Sequence, residues 1–127
     1  MGPVVTPVQE LVEAARPREA PIERVLVREG ADIHVIQTCE IDFVEAQDDY
    51  VSLHTGGREH LKQETLHKLE TQLDATRFVR IHRSYLINVD RLARIESDAK
   101  DKRIALLRDG TRLPVSRSGY ARLKEFL

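Results

Sequence analysis

The chain has 127 residues, 41% of them hydrophobic and 32% charged, and its 20 Lys+Arg against 21 Asp+Glu give a formal net charge of −1. A length of this order predicts one domain that buries roughly two-thirds of its unfolded surface, and no apolar run approaches the about 18 residues of a membrane span. The acidic N-terminus does not read as a signal peptide, and the single Cys39 excludes an internal disulfide framework and points to a reducing, cytoplasmic setting.

Residues 1–22 read as a linker, because Pro3, Pro7, Pro17 and Pro21 all fall there. Within it, Thr6-Pro7-Val8-Gln9 has the form of an N-cap, a proline at the first helical position and a glutamine closing a capping box. Val8, Leu11, Val12 and Ala15 then share a face, predicting a short helix at about residues 7–16 that Pro17 ends.

From residue 23 the pattern turns to short β-rich runs. Arg24–Val27, Asp32–Gln37, Ile41–Ala46 and Tyr50–His54 read as strands separated by turn residues. Thr55-Gly56-Gly57 is a tight-turn signal that returns the chain along Arg58–Leu61. Leu66, Leu69 and Leu73 recur at helical spacing behind Thr65 as N-cap, so Leu66–Leu73 is one amphipathic helix. Strands resume at Phe78–Ile81, Arg91–Glu96 and Arg103–Leu107, and Asp109-Gly110 turns into Thr111–Val115. Ser118–Leu127 is a short C-terminal amphipathic helix with Tyr120, Leu123 and Leu127 on one face. The expected fold is mainly β, with one internal and one terminal helix, in a single domain over residues 23–127.

The near-zero net charge hides an asymmetry. Residues 1–76 hold 7 basic and 15 acidic residues, whereas residues 77–124 hold 13 basic and 5 acidic. A basic half suggests a polyanionic partner, although on charge alone an ordinary mixed surface fits as well.

Catalysis finds little support. His34, His54, His60, His67 and His82 fall in no recognised metal-ligand spacing, and solvated or partly packed histidine is the plainer reading. Asp48-Asp49 is turn chemistry before it is a carboxylate pair. Cys39 has no adjacent cation to activate its thiol, and Gly56-Gly57 lacks the Lys-Ser/Thr of a phosphate loop. The chain is expected to be no enzyme and to use neither metal nor cofactor.

The informative stretch is Phe78-Val79-Arg80-Ile81-His82-Arg83-Ser84-Tyr85. Strict alternation sends Phe78, Arg80, His82 and Ser84 to one face and Val79, Ile81 and Arg83 to the other. Arginine suits bidentate recognition of guanine or phosphate, and Ser, Tyr and Asn88 are neutral phosphate donors. Val115-Ser116-Arg117-Ser118 forms a second cluster before the last helix, where free backbone N–H groups favour an anion.

The ordered blocks Ile41-Asp42-Phe43-Val44-Glu45-Ala46, Asp49-Tyr50-Val51, Thr65-Leu66-His67-Lys68-Leu69-Glu70, Phe78-x-Arg80-Ile81-His82-Arg83-Ser84-Tyr85-Leu86-Ile87-Asn88, and Gly110 with Leu113-Pro114-Val115-Ser116-Arg117 closely resemble the LytTR DNA-binding domain. The resemblance covers about residues 23–127. It implies an elongated arrangement of small antiparallel sheets with few helices. It also implies sequence-specific binding of double-stranded DNA, as the output domain of a bacterial two-component regulator with a receiver domain upstream. In this family loops enter successive grooves of direct-repeat promoter sites and bend the DNA, an arrangement compatible with a homodimer on DNA and needing no membrane.

Carried over by position, the resemblance implies a first loop of Asp48, Asp49, Tyr50 and Val51, a second of His82, Arg83 and Ser84, and a third of Ser116, Arg117 and Ser118. Arg83 and Arg117 are the base-reading candidates. Arg80, Lys62, His82, Ser84 and Ser116 are the candidates for phosphate. The chain departs from the family in its acidic first loop, which offers acceptors only and suits a cytosine amino group better than a phosphate. It departs again at Gln63, where the family more often has a basic residue. The plainer readings are that Arg83 pairs with Asp42 or Glu45, that the Arg80 stem covers apolar surface, and that Ser116 only caps the last helix. A different functional class, a protein-interaction module docking an acidic partner through the basic face, stands as the alternative.

Overall fold

A computed structural model describes residues 20–126. The helix expected at about 7–16 lies outside those residues. The described chain runs β1 (Arg24–Glu29), β2 (Asp32–Gln37), a 3-10 turn (Thr38–Glu40), β3 (Phe43–Gln47), β4 (Tyr50–Thr55), β5 (Arg58–Gln63) and α1 (Leu66–Gln72). It continues through β6 (Phe78–His82), β7 (Tyr85–Asn88), a second 3-10 turn (Val89–Arg91), β8 (Leu92–Ser97), β9 (Arg103–Leu107), β10 (Arg112–Val115) and α2 (Arg117–Lys124). The strands form three antiparallel sheets: the hairpin β1-β2, a five-stranded sheet in the order β5-β4-β3-β7-β6, and a three-stranded sheet in the order β10-β9-β8. No described helix is long and apolar enough to cross a membrane.

The five-stranded sheet is the middle layer, and its two faces feed two cores. On one face Val44, Val51, Leu53, Phe78 and Leu86 meet α1 (Leu66, Leu69, Leu73) and the hairpin (Val25, Val27, Ile36). On the other face Phe43, Val79, Ile81 and Ile87 meet Ala105, Leu107 and Leu113 of the small sheet and Leu123 of α2. Each fully buried Val, Leu, Ile or Phe contributes about 1.5–3 kcal/mol, so both faces are committed.

This two-sided burial explains the one strand missing from the sequence reading. In β7 the consecutive Leu86 and Ile87 are both fully buried, one in each core. A strand of four residues without apolar-polar alternation does not announce itself.

Local signals held elsewhere. The Thr65 hydroxyl accepts from the Lys68 amide at 3.1 Å and caps α1. Gly30 takes φ +67° as the first central residue of the two-residue β1-β2 turn, where the bend demands glycine. The terminal helix begins one residue earlier than expected because Ser116 is its N-cap, accepting from the Gly119 amide at 3.0 Å.

Candidate nucleic-acid interface

Register brings the three loops to one end of the middle sheet. Glu45 of β3 lies opposite Tyr85 of β7, and the Ala46 amide donates to the Ser84 carbonyl at 2.9 Å, so the β3-β4 turn sits beside the β6-β7 turn. At the outer edge of β6 the Ser116 amide and hydroxyl both donate to the Ile81 carbonyl, at 2.8 and 3.2 Å. The Arg122 guanidinium adds a bond to the Arg80 carbonyl at 2.9 Å. The junction of β10 and α2 is thereby fastened next to the β6-β7 turn, and Arg80, His82, Arg83, Ser116, Ser118 and Arg122 line the cleft between them.

A β-bulge shapes the second loop. Arg80 pairs with Leu86, but His82 pairs with the next residue back, Tyr85, leaving Ile81 as the extra residue of β6. The alternation expected from the sequence therefore fails after Ile81. His82 turns away from the face of Arg80 to the face of Ile81 and Tyr85, its ring centroid 5.6 Å from that of Tyr85. His82 Nδ1 accepts from the Ser84 amide at 3.1 Å, which in the neutral ring leaves the proton on Nε2. Tyr85 points into the second core, where burial first and then the Glu45 carboxylate push its phenol above the usual 10.0.

Arg80 is spent inside the protein. Its guanidinium donates to the His82 carbonyl (3.1 Å), the Arg83 carbonyl (2.7 Å) and Glu70 Oε1 (2.9 Å), and so clamps the β6-β7 turn to α1. Lys62 points the other way, Nζ donating to the Leu26 carbonyl of β1 at 2.9 Å. Both cations, expected as phosphate contacts, are thus engaged by protein acceptors, although Arg80 still lines the cleft between the loops.

The remaining arginines divide sharply. Arg77 pairs with Asp74 and Asp90, Arg91 with Asp42, and Arg94 and Arg112 both with Glu96, whose carboxyl is held below the usual range by Arg94 first and then Arg112. Arg103 lies 3.8 Å above the Tyr120 ring. Arg83 and Arg117 are exposed, and neither pairs with a carboxylate among the described residues. Asp42 is taken by Arg91, and Glu45 faces Tyr85 and His54, so the suggested internal partners of Arg83 are engaged elsewhere.

In the first loop Asp48 holds φ +53°, a left-handed turn position that Asp tolerates. Asp48, Asp49 and Tyr50 are exposed, with Tyr50 beside the exposed Leu61. Ser116 does cap α2, as the plain reading had it, while Ser118 stays exposed at the first turn.

Two contributors escaped the sequence reading. Gly119 lies so close to β6 that a Cβ there would stand 2.0 Å from the Ile81 carbonyl oxygen. A glycine inside a helix was the available signal. Arg122 carried no signal that set it apart from the other arginines of the basic half.

Residues 31–127 match the family described as the LytTr DNA-binding domain. The chain is 25% identical over 119 residues to a sensory transduction protein LytT of Bacillus subtilis, covering 94% of this chain and 49% of the relative. It is 36% identical over 93 residues to an uncharacterized response regulatory protein of Vibrio cholerae, covering 70% of this chain and 35% of that protein. A transcriptional regulatory protein LytR of Staphylococcus aureus is 28% identical over 86 residues, or 68% of this chain and 35% of the relative. The chain thus spans a third to a half of the length of these curated relatives. Its fold superposes with a TM-score of 0.74 on the LytTr DNA-binding domain of a Bacillus cereus regulator, at 21% identity, covering 83% of this chain and 96% of that one.

Proposed function

The chain belongs to the LytTR DNA-binding domain family, and from that premise we propose that it binds double-stranded DNA sequence-specifically, as the cytoplasmic output module of a bacterial-type transcriptional regulator. The observation that carries the reading is the pair Arg83 and Arg117, exposed on the β6-β7 turn and at the first position of α2 and free of carboxylate partners among the described residues, while five other arginines of the same half are neutralised. A free guanidinium on a projecting loop can meet guanine O6 and N7 through two parallel hydrogen bonds. His82 Nε2–H, the Ser84 and Ser118 hydroxyls and the first amides of α2 then serve the phosphates on either side.

In this reading Arg80 is a positioning residue. It holds the two carbonyls of the turn that presents Arg83, and Glu70 holds Arg80. The acidic first loop contributes acceptors, with Asp49 fit for a cytosine amino group and Tyr50 for a sugar or phosphate oxygen. An upstream receiver domain, entry of the three loops into successive grooves of direct repeats, and pairing of two copies on adjacent repeats complete the proposal.

Fluorescence anisotropy with the protein's own promoter region against random duplex tests it at physiological salt. Specific binding should weaken by about 0.9 log units per log unit of salt for each phosphate neutralised. Equal retention on random duplex and on an acidic polymer such as heparin would instead favour docking of an acidic partner.

A further inference from the structure

A second constellation lies at the β5 edge of the middle sheet, opposite the β6 edge that carries the second and third loops. Glu29 ends β1, His34 stands in β2 and His60 in β5. His34 is opposite Val27 in the hairpin register, which makes it the diagonal same-face neighbour of Glu29. β5 then brings His60 against that face. Glu29 Oε1 lies 3.0 Å from His34 Nε2, and Glu29 Oε2 lies 2.9 Å from His60 Nδ1. The ligand atoms all fall within 4.8 Å of one another, and the two rings are 5.5 Å apart.

We propose that Glu29, His34 and His60 form a binding site for a divalent transition-metal ion of the Zn2+ type, which clips the β1-β2 hairpin to β5. Zinc binds imidazole nitrogen and carboxylate oxygen at about 2.0–2.2 Å, so neighbouring donors around one tetrahedral ion stand roughly 3.4 Å apart. The observed separations need only small side-chain rotations to reach that arrangement. Two imidazoles and one carboxylate suit zinc, cobalt or nickel, whereas magnesium and calcium require sets of oxygen ligands. Access is available, since the His34 and Glu29 side chains are 42% and 38% exposed, while His60, at 11%, is the fixed inner ligand. Without metal, the His60 ring is hydrogen-bonded through Nδ1 to Glu29 Oε2, and His34 Nε2 stands 3.0 Å from Oε1. With metal, those nitrogens give up the proton or switch tautomer, and water fills the fourth position.

The clip has a mechanical purpose. A two-stranded hairpin is marginal by itself, and this one reaches β5 through few polar ties, namely His60 with Glu29 and Lys62 with the Leu26 carbonyl. No sequence motif announces the site, because its ligands come from three strands and meet only through the fold.

The test is calorimetric titration of the untagged chain with zinc chloride, with Mg2+ as control, repeated on His34→Gln and His60→Gln. His34 is half-exposed, so His34→Gln should fold normally, and circular dichroism checks both variants. The expected result is one zinc per chain, at least about tenfold weaker in each variant, with a zinc-dependent rise in Tm in the parent chain alone and no response to Mg2+. Absence of saturable zinc binding in the parent, or equal binding by parent and His34→Gln, would overturn the proposal. DNA affinity lies outside this test, so its outcome and that of the DNA-binding reading are independent.

Discussion

Replacing Gly119 by alanine should separate two opposed effects. In an exposed helix interior the change would stabilise by about 0.5–1 kcal/mol through propensity. Here the added Cβ would stand 2.0 Å from the Ile81 carbonyl oxygen, 2.4 Å from its carbon and 2.7 Å from its Cα, all backbone atoms with no rotamer to yield. Restoring van der Waals distance requires α2 to withdraw by roughly 1.5 Å. That movement stretches the two Ser116 bonds to the Ile81 carbonyl and the Arg122 bond to the Arg80 carbonyl, and it unseats Leu123, now 2% exposed. Hydrogen bonds at about 1 kcal/mol each and partial loss of a buried leucine worth about 1.5–3 kcal/mol outweigh the propensity gain. Gly119→Ala should therefore destabilise by about 2–4 kcal/mol. It should also weaken DNA binding under conditions where the variant remains folded, because Arg117 and Ser118 ride on the displaced segment. Urea unfolding followed by far-UV circular dichroism measures the first effect and anisotropy the second. A variant as stable as the parent would refute the close approach of α2 to β6.

Four further outcomes are expected. Arg83→Ala and Arg117→Ala should each leave the urea midpoint unchanged and cost about 1–3 kcal/mol in binding the cognate site, with relaxed base preference at one position each, read by anisotropy on a panel of substituted sites. Arg80→Ala should lower both stability and DNA affinity, and should leave the salt slope of binding within error of the parent, since its charge serves Glu70 and two carbonyls; a drop of a full phosphate equivalent would make it a direct contact. Asn88→Ala should destabilise by about 2–4 kcal/mol in thermal or urea unfolding, because the buried side chain donates to the Ile41 carbonyl at 2.9 Å and accepts from the Asp90 amide at 2.9 Å, leaving both unpaired when removed. Asp74 and Asp109 are held below the usual 3.8, Asp74 chiefly by the Thr76 hydroxyl and Asp109 chiefly by the Thr111 amide. A depressed folded value means stability present above 3.8 and lost as pH falls further, so the urea midpoint should drop below about pH 4, less steeply in Asp74→Asn.

What could be read from the sequence follows the range of the interactions that decide each feature. The strands Asp32–Gln37 and Arg103–Leu107 coincide with their expected bounds, and the Thr65 cap is where local chemistry puts it. These features depend on alternation, turn glycines and a hydroxyl three residues from an amide. β7 and the bulge at Ile81 depend instead on burial against two cores and on pairing with β3 and β7, which no local window contains. The candidate interface divides in the same way. Its loop positions were legible, but which arginines remain free was not, because Arg91 is answered by Asp42 and Arg80 by Glu70, carboxylates of the acidic half. The excess of 13 basic over 5 acidic residues in 77–124 is thus partly cancelled in space by the half that precedes it. Five of those 13 cations, Arg77, Arg80, Arg91, Arg94 and Arg112, are paired with carboxylates among the described residues, which lowers the general attraction to phosphate. In the proposed reading, discrimination among DNA sites rests on directed contacts by Arg83 and Arg117, whose placement the Arg80 clamp and the Gly119 contact maintain.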